Sequence, residues 1–191
     1  SGILGLIGEK DGKPIVPGVQ IADIGGGSLM ALAGICMALF HRDRTGKGQY
    51  IDVSMMDGAI TWLYAAMSDY FASDTTPKRG TTRLDGQFAF YNVYETRDGK
   101  YITVGASELK FWKKMCELIG KEEWIPLHEG PTTVQEQLKQ DLAKLFKTHD
   151  QQYWVDLLAR EDTCVGPVHD IDEMFNDPHI TAREMFTEMH H

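Results

Sequence analysis

Between Ser28 and Phe40 the chain reads SLMALAGICMALF, apolar at almost every position, and then turns abruptly to HRDRTGKG. A run of this length, with no proline and many straight aliphatic side chains, predicts a buried helix over Ser28–Phe40. Upstream, GEKDGKPIVPG (Gly8–Gly18) has the composition of a loop or irregular hairpin. Downstream, QYIDVSM (Gln49–Met55) alternates and carries β-branched residues, so it predicts a strand. Met56–Ala72 returns to helical spacing, with Asp57 placed to cap it.

At Ser73–Gln87 the pattern changes to a polar linker, SDTTPKRGTTRLDGQ. Beyond it, FAFYNVYETRDGKYITVGA (Phe88–Ala106) predicts two strands joined at Asp98-Gly99, a dipeptide suited to tight hairpin turns. Three amphipathic helices follow: SELKFWKKMCELIG, with Ser107 as cap and Gly120 as stop, then TTVQEQLKQDLAKLFKTH and DQQYWVDLLAR. A loop and a short helix close the chain in TCVGPVHDIDEMFNDPHITAREMF. The fold class expected is α/β. Residues 1–72 form one portion, 73–165 a linker with a small α/β domain, and 166–191 a returning segment. No internal repeat or low-complexity tract interrupts this plan.

Composition narrows the partners more than the fold. The 191 residues are 42% hydrophobic and 25% charged, enough to build a core. A net charge of -9 argues against nucleic acid, which calls for a basic stripe. No apolar run approaches the roughly 18 residues of a membrane span, so none is expected. Cys36, Cys116 and Cys164 lie far apart and read as buried thiols of a reducing compartment, with the cytoplasm as default location. The chain opens on SGILGLIGEKDG without an initiator Met, as though cut from something longer, so a targeting segment could have preceded it.

One constellation stands out as chemistry. In QIADIGGGS, Asp23 precedes Gly25, Gly26 and Gly27 and then the apolar run. Three glycines carry a conformational cost that suggests close approach or unusual dihedrals. A carboxylate beside a helix N-terminus is favoured by the helix dipole. Asp23 is therefore either an ordinary first-turn acid or an ionised carboxylate facing a ligand. A dinucleotide loop fits poorly, because Met30 stands where the third glycine belongs. Glu108 reads from pattern alone as an acid near a helix start. His41 reads as a cation at a helix C-terminus. His128, His149, His169 and His179 fall in polar connections without ligand spacing, and the pair His190-His191 makes no convincing metal site.

The ordered pieces SGILGLIG, ADIGGGS, GICMALFHRDRTGKGQYIDVSMMDG, RGTTRLDGQ, YNVYETRDGKYITVGASELKFW, CVGPV and DPHITAREMF resemble the class III CoA-transferase family, also called CaiB/BaiF, from Ser1 through Phe186. The resemblance implies a Rossmann-like large domain, a smaller inserted α/β domain and two chains interlocked as a homodimer. Complete members are about twice as long, so the chain is expected to be a central and C-terminal portion. An acyl-CoA thioester and a carboxylic acid are the implied substrates, with no further cofactor and no metal.

Asp23 matches the family's catalytic aspartate. In the transferase branch it is the nucleophile, exchanging CoA through anhydrides and an aspartyl-CoA thioester. In the α-methylacyl-CoA racemase branch it is a base, opposed by a histidine from a motif that would precede Ser1. Glu108 matches the glutamate that supports this histidine, and RLDGQ resembles the racemase MLDGG with Gln87 in place of a glycine. Gly25, Gly26 and Gly27 are expected to shape the thioester site. Transferase is the reading preferred, with racemase as the alternative. The 191-residue chain by itself is expected to be a non-catalytic fragment.

Overall fold

The computed structural model describes residues 1–189, and the chain divides into two units, Ser1–Gly86 and Gln87–His191. Helices and one small antiparallel sheet make up the chain, in keeping with the α/β class.

In the first unit the elements are α1 (Ile3–Leu6), a π-helical segment Ile21–Ser28, α2 (Leu29–Thr45), α3 (Met55–Thr61) and α4 (Tyr64–Ser73). The helix expected from Ser28 thus begins seven residues earlier. The three glycines lie inside it, and none adopts a positive φ. Gly46 ends α2 in the left-handed region at φ 70°, its N–H donating to the Arg42 carbonyl. The continuous helix Ile21–Thr45 is 25 residues, long and apolar enough to cross a membrane by length and composition alone, which corrects the expectation of no such segment. A core helix passes the same test, and this one has α3 packed across its first turns.

The strand expected at Gln49–Met55 is absent. Residues 46–54 are irregular, and no neighbouring strand in this unit accepts their backbone groups. Ser54, not Asp57, caps the next helix by accepting from the Asp57 N–H at 3.3 Å. The expected long helix breaks at Trp62-Leu63 into α3 and α4. The Gly8–Gly18 segment is the loop anticipated. It is tied down by Arg79, whose guanidinium donates to the carbonyls of Gly12 (Nη2, 2.6 Å) and Gly5 (Nη1, 3.0 Å).

The fully buried residues described in this unit are Gly26, Gly58, Ala59 and Gly80. Nothing on α2 is buried; Leu32, Met37 and Phe40 are each about 60% exposed. An apolar helix with no polar face is normally an interior one. Within this unit, α2 lacks its cover.

The second unit has a complete core. Strands β1 (Tyr91–Glu95) and β2 (Tyr101–Gly105) pair antiparallel, from Tyr91 opposite Gly105 to Glu95 opposite Tyr101. The turn at Asp98-Gly99 is as expected, with Gly99 at φ 78°. A third strand, β3 (Val165–Pro167), pairs with β2; its three residues, including Gly and Pro, carry no strand pattern and read as loop. Around the sheet pack α5 (Leu109–Leu118), a 3-10 turn Glu122–Leu127, α6 (Thr132–Phe146) and α7 (Gln151–Trp154), which continues as a π-helical turn through Ala159. The short helices α8 (Ile171–Asn176) and α9 (Pro178–Ala182) follow.

Gln135, Leu138, Leu142 and Phe146 form the buried stripe of α6 at helical spacing. Leu138, Leu142 and Phe146 join Phe90, Ile102, Val104, Trp112, Met115, Trp154 and Leu158 in one cluster. Gly120 stops α5 as expected, at φ 65°, with Lys121 N–H reaching back to the Cys116 carbonyl. The cap, however, is Glu108 and not Ser107.

Candidate active site

Asp23 lies in the first turn of the π-helical segment, with its side chain exposed. A π-turn is a wide, uncommon geometry that often marks functional positions. Here the Leu29 N–H bonds five residues back to the Ile24 carbonyl, and the Ser28 hydroxyl donates to the Asp23 carbonyl at 2.9 Å. These contacts fix the backbone that carries the carboxylate and leave its oxygens facing solvent.

The glycines beside it meet α3. A Cβ on Gly26 would stand 2.6 Å from the Met55 carbonyl oxygen and 2.8 Å from the Ala59 nitrogen. One on Gly58 would stand 2.0 Å from the Gly26 carbonyl oxygen. The two helices therefore touch backbone to backbone at the Gly26–Gly58 crossing. Gly25 faces the Trp62 ring and Gly27 the Met55 side chain. Close approach is real, and the chain's own α3 accounts for it. An open apolar depression lined by Leu6, Leu63, Met67 and Tyr70 lies in the same unit, and neither Asp23 nor these glycines line it.

Glu108 belongs to the second unit, so the sequence-expected carboxylates sit on separate bodies. It is the N-cap of α5, with extended backbone (φ -91°, ψ 138°) and no side-chain cap bond. Its carbonyl accepts from the Phe111 and Trp112 N–H groups, while its exposed Oε2 accepts from the Ser107 hydroxyl at 2.9 Å. The turn before it is anchored by the Gly105 N–H donating to the Cys164 carbonyl at 2.8 Å.

His128 holds the same turn from the other side. Expected in a polar connection, it is 7% exposed, and its Nε2 lies 3.1 Å from the Ala106 carbonyl oxygen. Tryptophan, isoleucine and leucine at 124, 125 and 127 are the local signal that this connection is buried.

The cysteines divide differently from the expectation. Cys116 is buried, and burial pushes its thiol up to about 12, helped by Glu123, Glu117 and Glu122. Cys36 and Cys164 are exposed, the first on the uncovered α2, the second at a left-handed turn (φ 55°) leading into β3. Among the described residues no group of three or more His, Cys, Asp or Glu is gathered to hold a metal ion. His190 and His191 lie outside the described residues.

Sequence and structure comparisons place this arrangement in a family. Residues 1–191 match CoA-transferase family III, and the chain belongs to that family. It is 34% identical over 192 residues to the human α-methylacyl-CoA racemase, covering 97% of this chain and 49% of that protein. It is 33% identical over 192 residues to the acetyl-CoA:oxalate CoA-transferase of Acetobacter aceti, covering 97% and 48%. The crystal structure of a CAIB/BAIF family protein from Brucella suis superposes with a TM-score of 0.77 at 29% identity, over 96% of this chain and 49% of that one. The chain spans about half the length of the relatives it matches.

Proposed function

We propose that this chain carries the catalytic carboxylate of an acyl-CoA enzyme that transfers CoA from a thioester to a free carboxylic acid, with Asp23 as nucleophile. The observation that supports this reading most is the exposed Asp23 side chain on a π-turn whose backbone is fixed by Ser28 and by the Gly26–Gly58 contact. An Asp23 oxygen attacks the thioester carbonyl, and the C–S bond breaks to release CoA thiolate and leave a mixed anhydride. The thiolate then attacks the aspartyl carbonyl, expelling the first acid and forming an aspartyl-CoA thioester. The second acid attacks that thioester, giving a new anhydride and free thiolate. Attack of the thiolate on the new acyl carbonyl yields the product thioester and returns Asp23 as carboxylate. Gly26 lets α3 meet this segment backbone to backbone and so holds the turn that carries Asp23, and Glu108 is taken as a second carboxylate of the reaction.

A racemase is the second reading. It is supported by Glu108, an exposed carboxylate whose Oε2 accepts from the Ser107 hydroxyl. There Asp23 moves the proton α to the thioester carbonyl. The test uses the full-length protein carrying this chain, given a 2-methylacyl-CoA in deuterated water. α-Hydrogen exchange without an acceptor acid, lost in Asp23→Asn, identifies the racemase. CoA transfer to added acids with no exchange, again lost in Asp23→Asn, identifies the transferase. Undiminished turnover in Asp23→Asn overturns both.

A further inference from the structure

We infer that His128 is a positioning residue for Glu108, acting through the Ala106 carbonyl, and that Gln135 holds His128 in register. The inference rests on Glu108 belonging to the proposed site, and it adds the machinery that aims it.

Ala106–Glu108 is the turn from β2 into α5. Ala106 is fully buried and Glu108 exposed, so the backbone passes from core to surface within two residues. Its aim is fixed at three points. Gly105 N–H bonds across to the Cys164 carbonyl, just before β3 (2.8 Å), and Ser107 N–H closes a tight turn onto the Gly105 carbonyl (2.9 Å). The third is the His128 ring. Its target is a carbonyl oxygen, so Nε2 carries the proton and donates. The ring is clamped by Phe90, with centroids 4.3 Å apart, and by Trp112 at 5.9 Å.

Gln135 explains why His128 stays put. It occupies a core position on the apolar stripe of α6 and is 1% exposed, where an amide is tolerated only with its bonds made. Its Oε1 accepts from the Ala89 N–H at 3.1 Å. Its Nε2 donates to the Leu127 carbonyl at 2.8 Å and to the His128 carbonyl at 3.2 Å. A leucine would fill the stripe equally well; the amide instead locks the 127–128 backbone to α6. A satisfied buried network of this kind specifies one geometry. Its free end is the turn that carries Glu108.

The experiment compares His128→Phe, His128→Asn and His128→Gln in the full-length protein. Phenylalanine keeps the ring packing and removes the donor. Glutamine places an amide N–H near the Nε2 position, and asparagine falls short of it. Two quantities are read: amide hydrogen exchange of the peptide containing Ser107 and Glu108, and kcat and KM for whichever turnover Asp23→Asn abolishes. In His128→Phe and His128→Asn, turn exchange is expected to accelerate about tenfold and kcat to fall about 10–100-fold, with KM unchanged. Glutamine should restore both. Equal behaviour of His128→Gln and His128→Asn overturns the inference, as does wild-type exchange and kcat in His128→Phe. Should His128→Phe fail to fold, the glutamine and asparagine pair decides alone. Glu108→Gln separates the two layers. If it turns over like wild type, the reading of Glu108 fails while turn exchange still judges His128.

Discussion

The Gly26–Gly58 crossing offers the sharpest test of how the Asp23 turn is held. A Cβ at Gly26 would fall 0.8 Å short of the ordinary 3.4 Å contact with the Met55 carbonyl oxygen, from 2.6 Å. At Gly58 the shortfall against the Gly26 carbonyl is 1.4 Å, from 2.0 Å. Both obstacles are backbone, which moves only if a helix moves. Overpacking of this kind costs about 1–3 kcal/mol, while alanine returns roughly 1 kcal/mol of helix propensity. Gly26→Ala should therefore destabilise the contact by about 1 kcal/mol, and Gly58→Ala, with the larger clash, by about 2 kcal/mol. Gly34→Ala on α2 is the control, since its Cβ meets no backbone and only the Cγ2 methyl of Ile51, at 3.3 Å. Amide hydrogen exchange of the peptide spanning Ser54–Thr61 reads the contact locally. It should accelerate about fivefold in Gly26→Ala and about thirtyfold in Gly58→Ala, at 1.4 kcal/mol per tenfold. It should stay at the wild-type rate in Gly34→Ala. Equal exchange in Gly26→Ala and Gly34→Ala would refute the packing argument and return Gly26 to a purely ligand-shaping role.

Thiol labelling of the folded chain should be fast at Cys36, slower at Cys164, whose exposed thiol is raised by partial desolvation and by Asp162 and Glu108, and absent at Cys116 until denaturant is added. Mass spectrometry of the labelled peptides checks this, and native labelling of Cys116 would contradict its burial. Asp98 is held below the usual carboxylate range by the Thr96 hydroxyl and the Gln151 N–H, and Glu173 by Lys100. Their folded pKa values are depressed, so their stabilisation is complete above about pH 4 and lost as pH falls through and below it. The Tm of the second unit should drop on acidification, with a shallower slope in Asp98→Asn; an unchanged slope removes Asp98 from the account. The 191-residue chain should self-associate through α2, and Leu32→Lys with Phe40→Glu should shift its sedimentation toward monomer. A monodisperse wild-type monomer would count against that expectation.

Much of the second unit is legible in its residues. Alternation, the Asp98-Gly99 turn, the α6 stripe and the Gly120 stop are local signals, and β2 and α6 bury what their own periods predict. The misreadings share one cause, in that each depends on a partner remote in sequence. Gln49–Met55 has strand-like alternation but no strand beside it to bond. Val165–Pro167 has no strand pattern yet is drawn into the sheet by β2. His128 looks polar in a row of residues and is buried because Phe90 and Trp112 close over it.

The site divides in the same way. The residues alone single out Asp23 and its glycines, because a carboxylate ahead of three glycines and an apolar helix is locally unusual. They show neither that those glycines continue a helix nor that Gly58 is why Gly26 tolerates no side chain. They mark Glu108 as an acid near a helix start, and only the folded unit ties the turn before it to Cys164 and His128. Periodicity and capping act within a few residues and are written in order along the chain. Backbone contact and buried hydrogen bonds join residues tens of positions apart, and only the tertiary structure decides those.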